Sequence, residues 1–461
     1  MISTVYIAKN VYGGDGLGRL GDGRVVFVPG AWAGEQVRAE IVEEKKHFVK
    51  TRLVEVVESS PERTSSNASD SSLSSIPGMV YAGLSYKGEC EAKESQLREF
   101  FDRARLVEVV EKSPDRLGDA SGSSDSSSSR VSGIPGMVYA DLSYEGELKA
   151  KEQQLREFFD RARLNVGLFH STTTTSNYNY LNYRNKAVYH FARQKGKWAI
   201  GYRTEPSHEI VDVENDPLAV AAINAKLPEI RRSVIALLTN GPQAVRRDVE
   251  QKGNVTVRWT PKSGVKWWIG DAPKDMVLKE TTCGRDFEVP ADGFYQVNPE
   301  VGEALVKAVV SEYEKGAKEA PEVLDLYCGV GVFGLCCNPP KLTGIESGRQ
   351  AIDFAKKNAA AQKFANAKFW AERVGQNLKR ISVNSRTTVI VDPPRDGMEP
   401  NVPKWLAESK APRILYVSCD PATLTRDLKT ICRGYDIESV RWFNMFPRTA
   451  RFETLVVLKK K

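Results

Sequence analysis

The stretch Leu324-Asp325-Leu326-Tyr327-Cys328-Gly329-Val330-Gly331 decides the fold. A short apolar run ends in an acidic residue and a glycine turn, the form taken where a strand meets a helix and a ligand can lie against bare backbone. One such turn is a weak signal, but its surroundings repeat the pattern. Apolar runs at 323–326, 342–345, 387–391, 413–417 and 454–458 are short and rich in branched residues, with helical segments between several of them. This alternation predicts a doubly wound α/β unit whose ligands gather at the carboxyl ends of the strands.

Each predicted strand end carries a chemical group. Gly344-Ile345-Glu346 closes the next strand about 20 residues on, where a carboxylate can accept both hydrogen bonds of a ribose diol. The plainer reading of Glu346 is a solvent-facing residue. The chain has no G-x-G-x-x-G and no Walker lysine, which disfavours dinucleotides and triphosphates and leaves S-adenosylmethionine as the better fit. Val391-Asp392-Pro393-Pro394-Arg395 closes a third strand with two prolines that stiffen an extended segment for a planar base. Val417-Ser418-Cys419-Asp420-Pro421 closes a fourth and sets a thiol at the same edge. A lone cysteine is ordinarily a small buried residue, and Cys328, Cys336, Cys337 and Cys432 read that way. The place of Cys419 beside a proline-rigid turn in the crevice marks it as a nucleophile.

Upstream, residues 1–60 read as short strands between glycine-rich turns, a small OB-like β-barrel, with 13–19 taken as a glycine loop from which Arg19 projects. Residues 61–164 form a serine-rich, duplicated linker or insert region. LVEVVESSPER at 53–63 returns as LVEVVEKSPDR at 106–116, IPGMVYAGLSY at 76–86 as IPGMVYADLSY at 134–144, and SQLREFFDRAR at 95–105 as QQLREFFDRAR at 153–163. Two copies are too few for a solenoid, so one copy is expected to be structural and the other to loop out. Residues 165–290 read as a mixed α/β central domain and 291–461 as the Rossmann-like catalytic domain.

Charge points to a partner for the central domain. The net charge of +7 comes from 66 basic and 59 acidic residues, and residues 165–290 hold 18 Lys and Arg against 13 Asp and Glu. A polyanion would touch this segment, along its aromatic and basic stretch with Tyr178, Tyr180, Tyr183, Arg184 and Lys186. Core packing is the competing reading of those rings. Seven cysteines without a C-x-x-C suit a reducing compartment, and no apolar run spans a bilayer, so a cytoplasmic protein, monomeric and without a membrane partner, is expected.

Five motifs in order make a specific resemblance: Tyr183-Arg184-Asn185-Lys186, Phe294-Tyr295-Gln296-Val297-Asn298, the 325–331 turn, Asp392-Pro393-Pro394-Arg395, and Ser418-Cys419-Asp420-Pro421-Ala422-Thr423-Leu424 with the later 445–453 segment MFPRTARFE. The chain resembles the TrmA/RumA family of RNA uracil-5-methyltransferases over residues 165–461, and residues 1–60 resemble the TRAM barrel of its ribosomal-RNA branch. The resemblance implies that Gln296, Tyr327, Glu346 and Asp392 contact S-adenosylmethionine, that Cys419 is the nucleophile and Glu453 the base. Arg184, Lys186, Asn298 and Arg395 are candidates for substrate contacts. Chemistry supports Cys419 and Glu453 independently, because carbon 5 of uracil attacks a methyl donor only after a thiolate adds at carbon 6, and its proton must then leave to a base.

The chain departs from that pattern in two places. Many relatives hold a [4Fe-4S] cluster on a C-x5-C-x2-C run and a fourth cysteine. Ile76/Met79 and Ile134/Met137 stand at paired ligand positions, no cysteine occurs from 91 to 282, and Cys90 has no partner, so no cluster and no metal site are expected. Arg451 stands where relatives often carry His. The expected substrate is ribosomal RNA, with transfer RNA as the alternative. A catalytically inactive RNA-binding or ribosome-assembly factor is the rival from another class, disfavoured because Cys419, Glu453, Asp392 and Gln296 are all present.

Overall fold

Alternation along the first strand, with Val5 and Ile7 buried between exposed Thr4, Tyr6 and Ala8, closes a sheet on itself. In the computed structural model, which describes residues 2–45, 48–63, 135–170, 180–204, 209–240, 252–376 and 378–461, the chain opens with a five-stranded barrel. Its strands are β1 (Ile2–Asn10), β2 (Gly16–Arg19), β3 (Val25–Val28), β4 (Gln36–Glu44) and β5 (Phe48–Glu58), in the order β1-β2-β3-β5-β4 around Val5, Ile7, Val26, Val28, Val37 and Val49. The expected glycine loop at 13–19 is therefore partly a strand. Gly18 is needed for close approach, since a Cβ there would come within 2.4 Å of Val5 Cγ1 and 2.5 Å of the Tyr6 carbonyl oxygen.

The repeat is used in halves. The second half of strand β5, from Leu53, and Arg63 come from the first copy, whereas α1 (Tyr144–Ala162) comes from the second. They meet directly: Ser143 N donates to Glu62 O at 2.8 Å, Arg63 pairs with Leu142 as a β-bridge, and Arg63 Nε donates to buried Glu35 at 2.6 Å. This corrects the expectation that one intact copy is structural. Nor is the second half of 61–164 a linker, because Leu155 and Phe159 of α1 enter the core of the catalytic unit. Residues 64–134, with the serine-rich stretches, Ile76, Met79, Cys90 and Ile134, lie outside the described residues, as does Tyr178.

Deleting residues 53–105 joins Arg52 to Leu106 and rewrites β5 with the same six residues, LVEVVE. Pro114-Asp115-Arg116 then stand in for Pro61-Glu62-Arg63, and only the Glu62 contacts to Ser143 and Lys149 receive a shorter carboxylate. The shortened chain is expected to unfold in urea within about 1 kcal/mol of the parent and to keep methyl transfer. Aggregation, or a loss several times larger, would show that both copies carry structure.

Beyond α1, β6 (Val166–His170) leads into a central sheet of β7 (Lys186–Gln194), β8 (Lys197–Arg203), β9 (Ile210–Asp212), β10 (Lys252–Thr260) and β11 (Gly264–Ile269), ordered β11-β10-β7-β8-β9. Helix α2 (Ala221–Asn240) covers it through Ile223, Leu227, Ile230 and Val234, packed on Tyr189, Phe191, Val255 and Val257. A hairpin of β12 (Val277–Thr282) and β13 (Arg285–Pro290) follows.

The catalytic unit then runs α3 (Pro299–Gly316), β14 (Glu322–Leu326), α4 (Val332–Cys337), β15 (Lys341–Glu346), α5 (Arg349–Ala361), β16 (Ala367–Ala371), β17 (Thr387–Val391), α6 (Val402–Glu408), β18 (Arg413–Ser418), α7 (Pro421–Ile431), β19 (Tyr435–Phe443) and β20 (Glu453–Lys460). Its sheet order is β16-β15-β14-β17-β18-β20-β19-β6. The α/β class expected from the apolar runs stands, with one boundary moved: β6, read as part of the 165–290 domain, pairs parallel to β19 and belongs to the catalytic sheet. Strands β14 to β18 are parallel, and β20 alone runs against both of its neighbours. That reversal brings the start of β20 to the edge where the parallel strands end.

Candidate active site

Four strand ends and one strand start line a single edge. Cys328 N donates to Ile345 O at 3.1 Å and Asp392 N to Leu326 O at 3.2 Å, so the turns after β14, β15 and β17 are locked side by side. Next along, Ser418 pairs with Thr454, which sets Glu453 at the Cys419 end of the β18–β20 ladder. The Cys419 turn is fixed at both sides. Asp420 caps α7 by accepting from Ala422 N (3.0 Å) and Thr423 N (2.9 Å), and Ser418 Oγ accepts from Asp420 N at 3.3 Å.

The electrostatics of this edge disfavour negative charge. Burial, then the Glu453 and Asp392 carboxylates, push the Cys419 thiol well above the ordinary thiol range, against the pull of Arg395. Burial and Asp392 likewise hold Glu453, 4% exposed, well above the usual carboxylate range, while Arg395 and Arg451 oppose. Such a thiol rests protonated, and a carboxyl of raised pKa beside it is suited to exchanging protons.

The cofactor end is built on unusual backbone. Tyr327, Gly329 and Gly331 all have positive φ (62°, 54° and 88°), a costly conformation for tyrosine that turns the chain sharply off β14. The Tyr327 hydroxyl donates to Glu399. Gly344 must be glycine because a Cβ would come within 2.5 Å of Phe369, and the first turn of α3 passes Gln296 at Gly302 for the same reason, at 2.8 Å. Asp325, 1% exposed, accepts from Gly334 N through Oδ2 at 2.9 Å and leaves Oδ1 buried with no hydrogen-bond partner. Glu346 Oε1 accepts from Ser347 Oγ (2.9 Å) and Gly348 N (2.7 Å), which orients its carboxylate.

These carboxylates are mutually unfavourable when charged. Burial, then Asp325 and Glu346, push Asp392 up to about 8. Burial and Glu346 push Asp325 to about 7, against the Gly334 N–H. An orphaned buried oxygen in a pocket of three acids is suited to a cationic guest, and S-adenosylmethionine carries both an ammonium and a sulfonium. The residues present therefore fit that cofactor.

A pH dependence follows from the same shifts. Asp392 and Asp325 have folded pKa values above their unfolded ones, so between pH 4 and 8 the folded state binds more protons and each unit of rising pH lowers stability. The unliganded protein is expected to lose a few degrees of Tm between pH 5 and 8, with a flatter profile in Asp392→Asn. S-adenosylmethionine should offset the loss more than S-adenosylhomocysteine, which lacks the sulfonium charge. A profile unaltered by Asp392→Asn would refute the assignment.

The remaining candidates are placed differently. Gln296 is held from the central sheet, its carbonyl accepting from Asn185 Nδ2 at 3.4 Å while Val297 O accepts from Asn185 N at 2.9 Å. Asn298 is 3% exposed and its side chain caps α3 by accepting from Val301 N. Arg395 is exposed at the mouth. Arg184 lies against Tyr183, Tyr202 and Asp216, its Nε buried without a hydrogen-bond partner, and Lys186 starts β7 near Arg258 and Asp292. Tyr183 is a core residue whose hydroxyl donates to Pro447 O at 3.0 Å, as packing would have it. Sequence reasoning passed over Arg258, 1% exposed, whose guanidinium donates to Glu280 (3.2 Å), Ala291 O (3.2 Å) and Gly293 O (2.9 Å) and so fixes the turn before Gln296. Phe294, which the sequence motif includes without a role, is 73% exposed beside that glutamine.

Comparison with known proteins bears on this edge directly. Residues 277–461 match the family described as tRNA (Uracil-5-)-methyltransferase, and residues 4–54 match the TRAM domain. The chain's catalytic unit is that of an RNA (uracil-5-)-methyltransferase. This methyltransferase is 28% identical to an uncharacterized RNA methyltransferase of Thermotoga maritima over 100% of its own length and 99% of the relative's. A second such relative, from Aquifex aeolicus, is 26% identical over 99% and 98%. Among solved structures it is similar to the Pyrococcus abyssi tRNA (uracil-54, C5)-methyltransferase in complex with S-adenosyl-L-homocysteine, at TM-score 0.64 and 19% identity, covering 98% of this chain and all of that one. The methyltransferase is thus an S-adenosylmethionine-dependent enzyme acting on RNA, with the TRAM match falling on the barrel and the family match on the hairpin and catalytic sheet.

Proposed function

We propose that the methyltransferase modifies carbon 5 of a uridine in ribosomal RNA through a covalent Cys419 adduct, with Glu453 as the base. The observation that carries this reading is the reversed strand β20, whose first residue, Glu453, meets the end of β18 beside Cys419. Gln296, Tyr327, Glu346 and Asp392 would hold S-adenosylmethionine, which supplies the electrophilic methyl group. Cys419 gives up its proton to solvent and its sulfur bonds to carbon 6 of the uracil, while the electron pair of the 5,6 double bond moves into an enolate over carbon 5 and the carbon 4 carbonyl, which makes carbon 5 nucleophilic. After carbon 5 is methylated, Glu453 takes its proton, the electron pair restores the 5,6 double bond, and the thiolate leaves carbon 6. Arg395, exposed at the mouth, is suited to a phosphate or base edge of the RNA.

The TRAM barrel supports ribosomal RNA, the substrate of the barrel-bearing branch that the sequence resembles. A transfer RNA is favoured by one other observation, the likeness over 98% of the chain to a structure whose protein acts on tRNA. Mapping 5-methyluridine separately in ribosomal and transfer RNA, from cells with and without the gene, tests the proposal. Loss from a ribosomal position supports it, loss confined to transfer RNA selects the second reading, and loss from neither overturns both.

The proposal includes no iron-sulfur cluster. Met137, at one of the paired ligand positions, packs in an apolar cluster with Tyr183 and Leu218 and is 7% exposed. Protein purified without oxygen is expected to be colourless and free of stoichiometric iron and sulfide. A ratio near four irons per chain would overturn this.

A further inference from the structure

The segment from Asn444 to Glu453 must leave β19, cross the catalytic edge and deliver Glu453 as the first residue of β20. It is held from outside the sheet. Glu147 of α1 accepts from Arg448 N (3.0 Å) and Asn444 Nδ2 (2.9 Å), and Lys151 Nζ donates to Asn444 Oδ1 (2.6 Å), Phe446 O (3.2 Å) and Glu147 (2.7 Å). Both side chains of this ion pair are 0% exposed. Arg448 has φ +67°, a strained value for a side chain of its size, and its guanidinium donates to Tyr139 O (3.1 Å) and Leu142 O (2.6 Å) while lying 4.5 Å from the Tyr180 ring centre. Cys419, by contrast, is fixed by the Ser418 and Asp420 bonds of its own turn.

A buried ion pair is a poor source of stability, since apolar residues of equal volume commonly do as well, but its hydrogen bonds fix geometry. We propose that the Glu147–Lys151 pair is a positioning element for the base: it sets the 444–452 loop so that Glu453 reaches the carbon 5 proton, and it governs elimination, not adduct formation. This rests on Glu453 being the base. The helix that follows the barrel thereby tunes the last chemical step.

The test compares two neutral pairs that differ at one residue. Glu147→Gln/Lys151→Met keeps a carbonyl for Arg448 N–H, whereas Glu147→Ala/Lys151→Met does not. With RNA tritiated at carbon 5 of uridine and a methyl-labelled cofactor, tritium release reports elimination, and denaturation-resistant labelled protein reports the methylated adduct. The alanine pair is expected to form adduct within about threefold of the parent rate but to release tritium at least about tenfold more slowly, so that adduct accumulates, while the glutamine pair stays near the parent. Asn444→Ala, which keeps the ion pair and its ties to Arg448 N and Phe446 O but removes those made through the Asn444 amide, should shift the same ratio in the same direction by a smaller factor and stands in if the alanine pair fails to fold. An unchanged ratio of adduct formation to elimination, or equal behaviour of the two pairs, overturns the proposal. Failure of Glu453→Gln to trap adduct would instead overturn the reading on which it rests.

Discussion

Cys419→Ala is expected to bind S-adenosylmethionine and RNA and yet to transfer no methyl group and form no covalent complex. The turn that carries the thiol is fixed by Ser418 and Asp420, so removing the sulfur leaves the fold and the cofactor end in place. Without addition at carbon 6, carbon 5 remains a poor nucleophile and the loss should approach the whole rate enhancement, beyond about 10³-fold. Glu453→Gln should fail later. It keeps the thiol and removes a carboxylate that crowds it, so addition and methylation proceed while elimination stalls. Denaturing gels with labelled RNA and labelled cofactor separate the two outcomes. Full turnover by Cys419→Ala refutes the nucleophile, and a folded Glu453→Gln that traps no methylated adduct refutes the base.

Arg258→Met should be the most destabilising single change outside the catalytic edge. Arg258 is 1% and Glu280 3% exposed, and burial pushes the Glu280 carboxyl upward even with the guanidinium beside it. Removing the arginine strands that carboxylate and unties Ala291 O and Gly293 O, for a cost of about 3–5 kcal/mol in urea unfolding. Replacing both partners, Arg258→Met/Glu280→Leu, should recover most of the stability. It should not recover cofactor affinity, because the turn that leads to Gln296 stays untied. A single variant within about 1 kcal/mol of the parent would refute the role given to this pair.

The catalytic sheet was legible because its strands end in residues that a core does not need. Asp392, Cys419 and Glu346 each interrupt an apolar run at its carboxyl end, a local signal that survives without knowledge of the partner strands. Arg258 and the Glu147–Lys151 pair carried no such signal. Each lies inside a strand or helix, and its importance comes from partners 22 to 301 positions away in sequence. The same limit explains β2, where glycines read as a loop serve close approach to β1. It also explains β6, whose place beside β19 depends on a pairing 271 positions distant at Val166 and Ile437.

The seam between the repeat halves has a consequence for how the gene can change. Across 76–105 and 134–163 the copies differ only at Gly83/Asp141, Lys87/Glu145, Cys90/Leu148, Glu91/Lys149 and Ser95/Gln153, and none of the second-copy residues at these places is fully buried. Every buried residue of α1 (Gly146, Glu147, Lys151, Gln154, Leu155, Phe158 and Phe159) has an identical counterpart in the first copy. Unequal crossing-over between the duplicated stretches of DNA would therefore return a coding sequence with one complete set of packing residues wherever the exchange fell. Chain length can drift by a repeat from one lineage to another while the strand that closes the barrel and the helix that steadies the 444–452 loop are inherited unchanged.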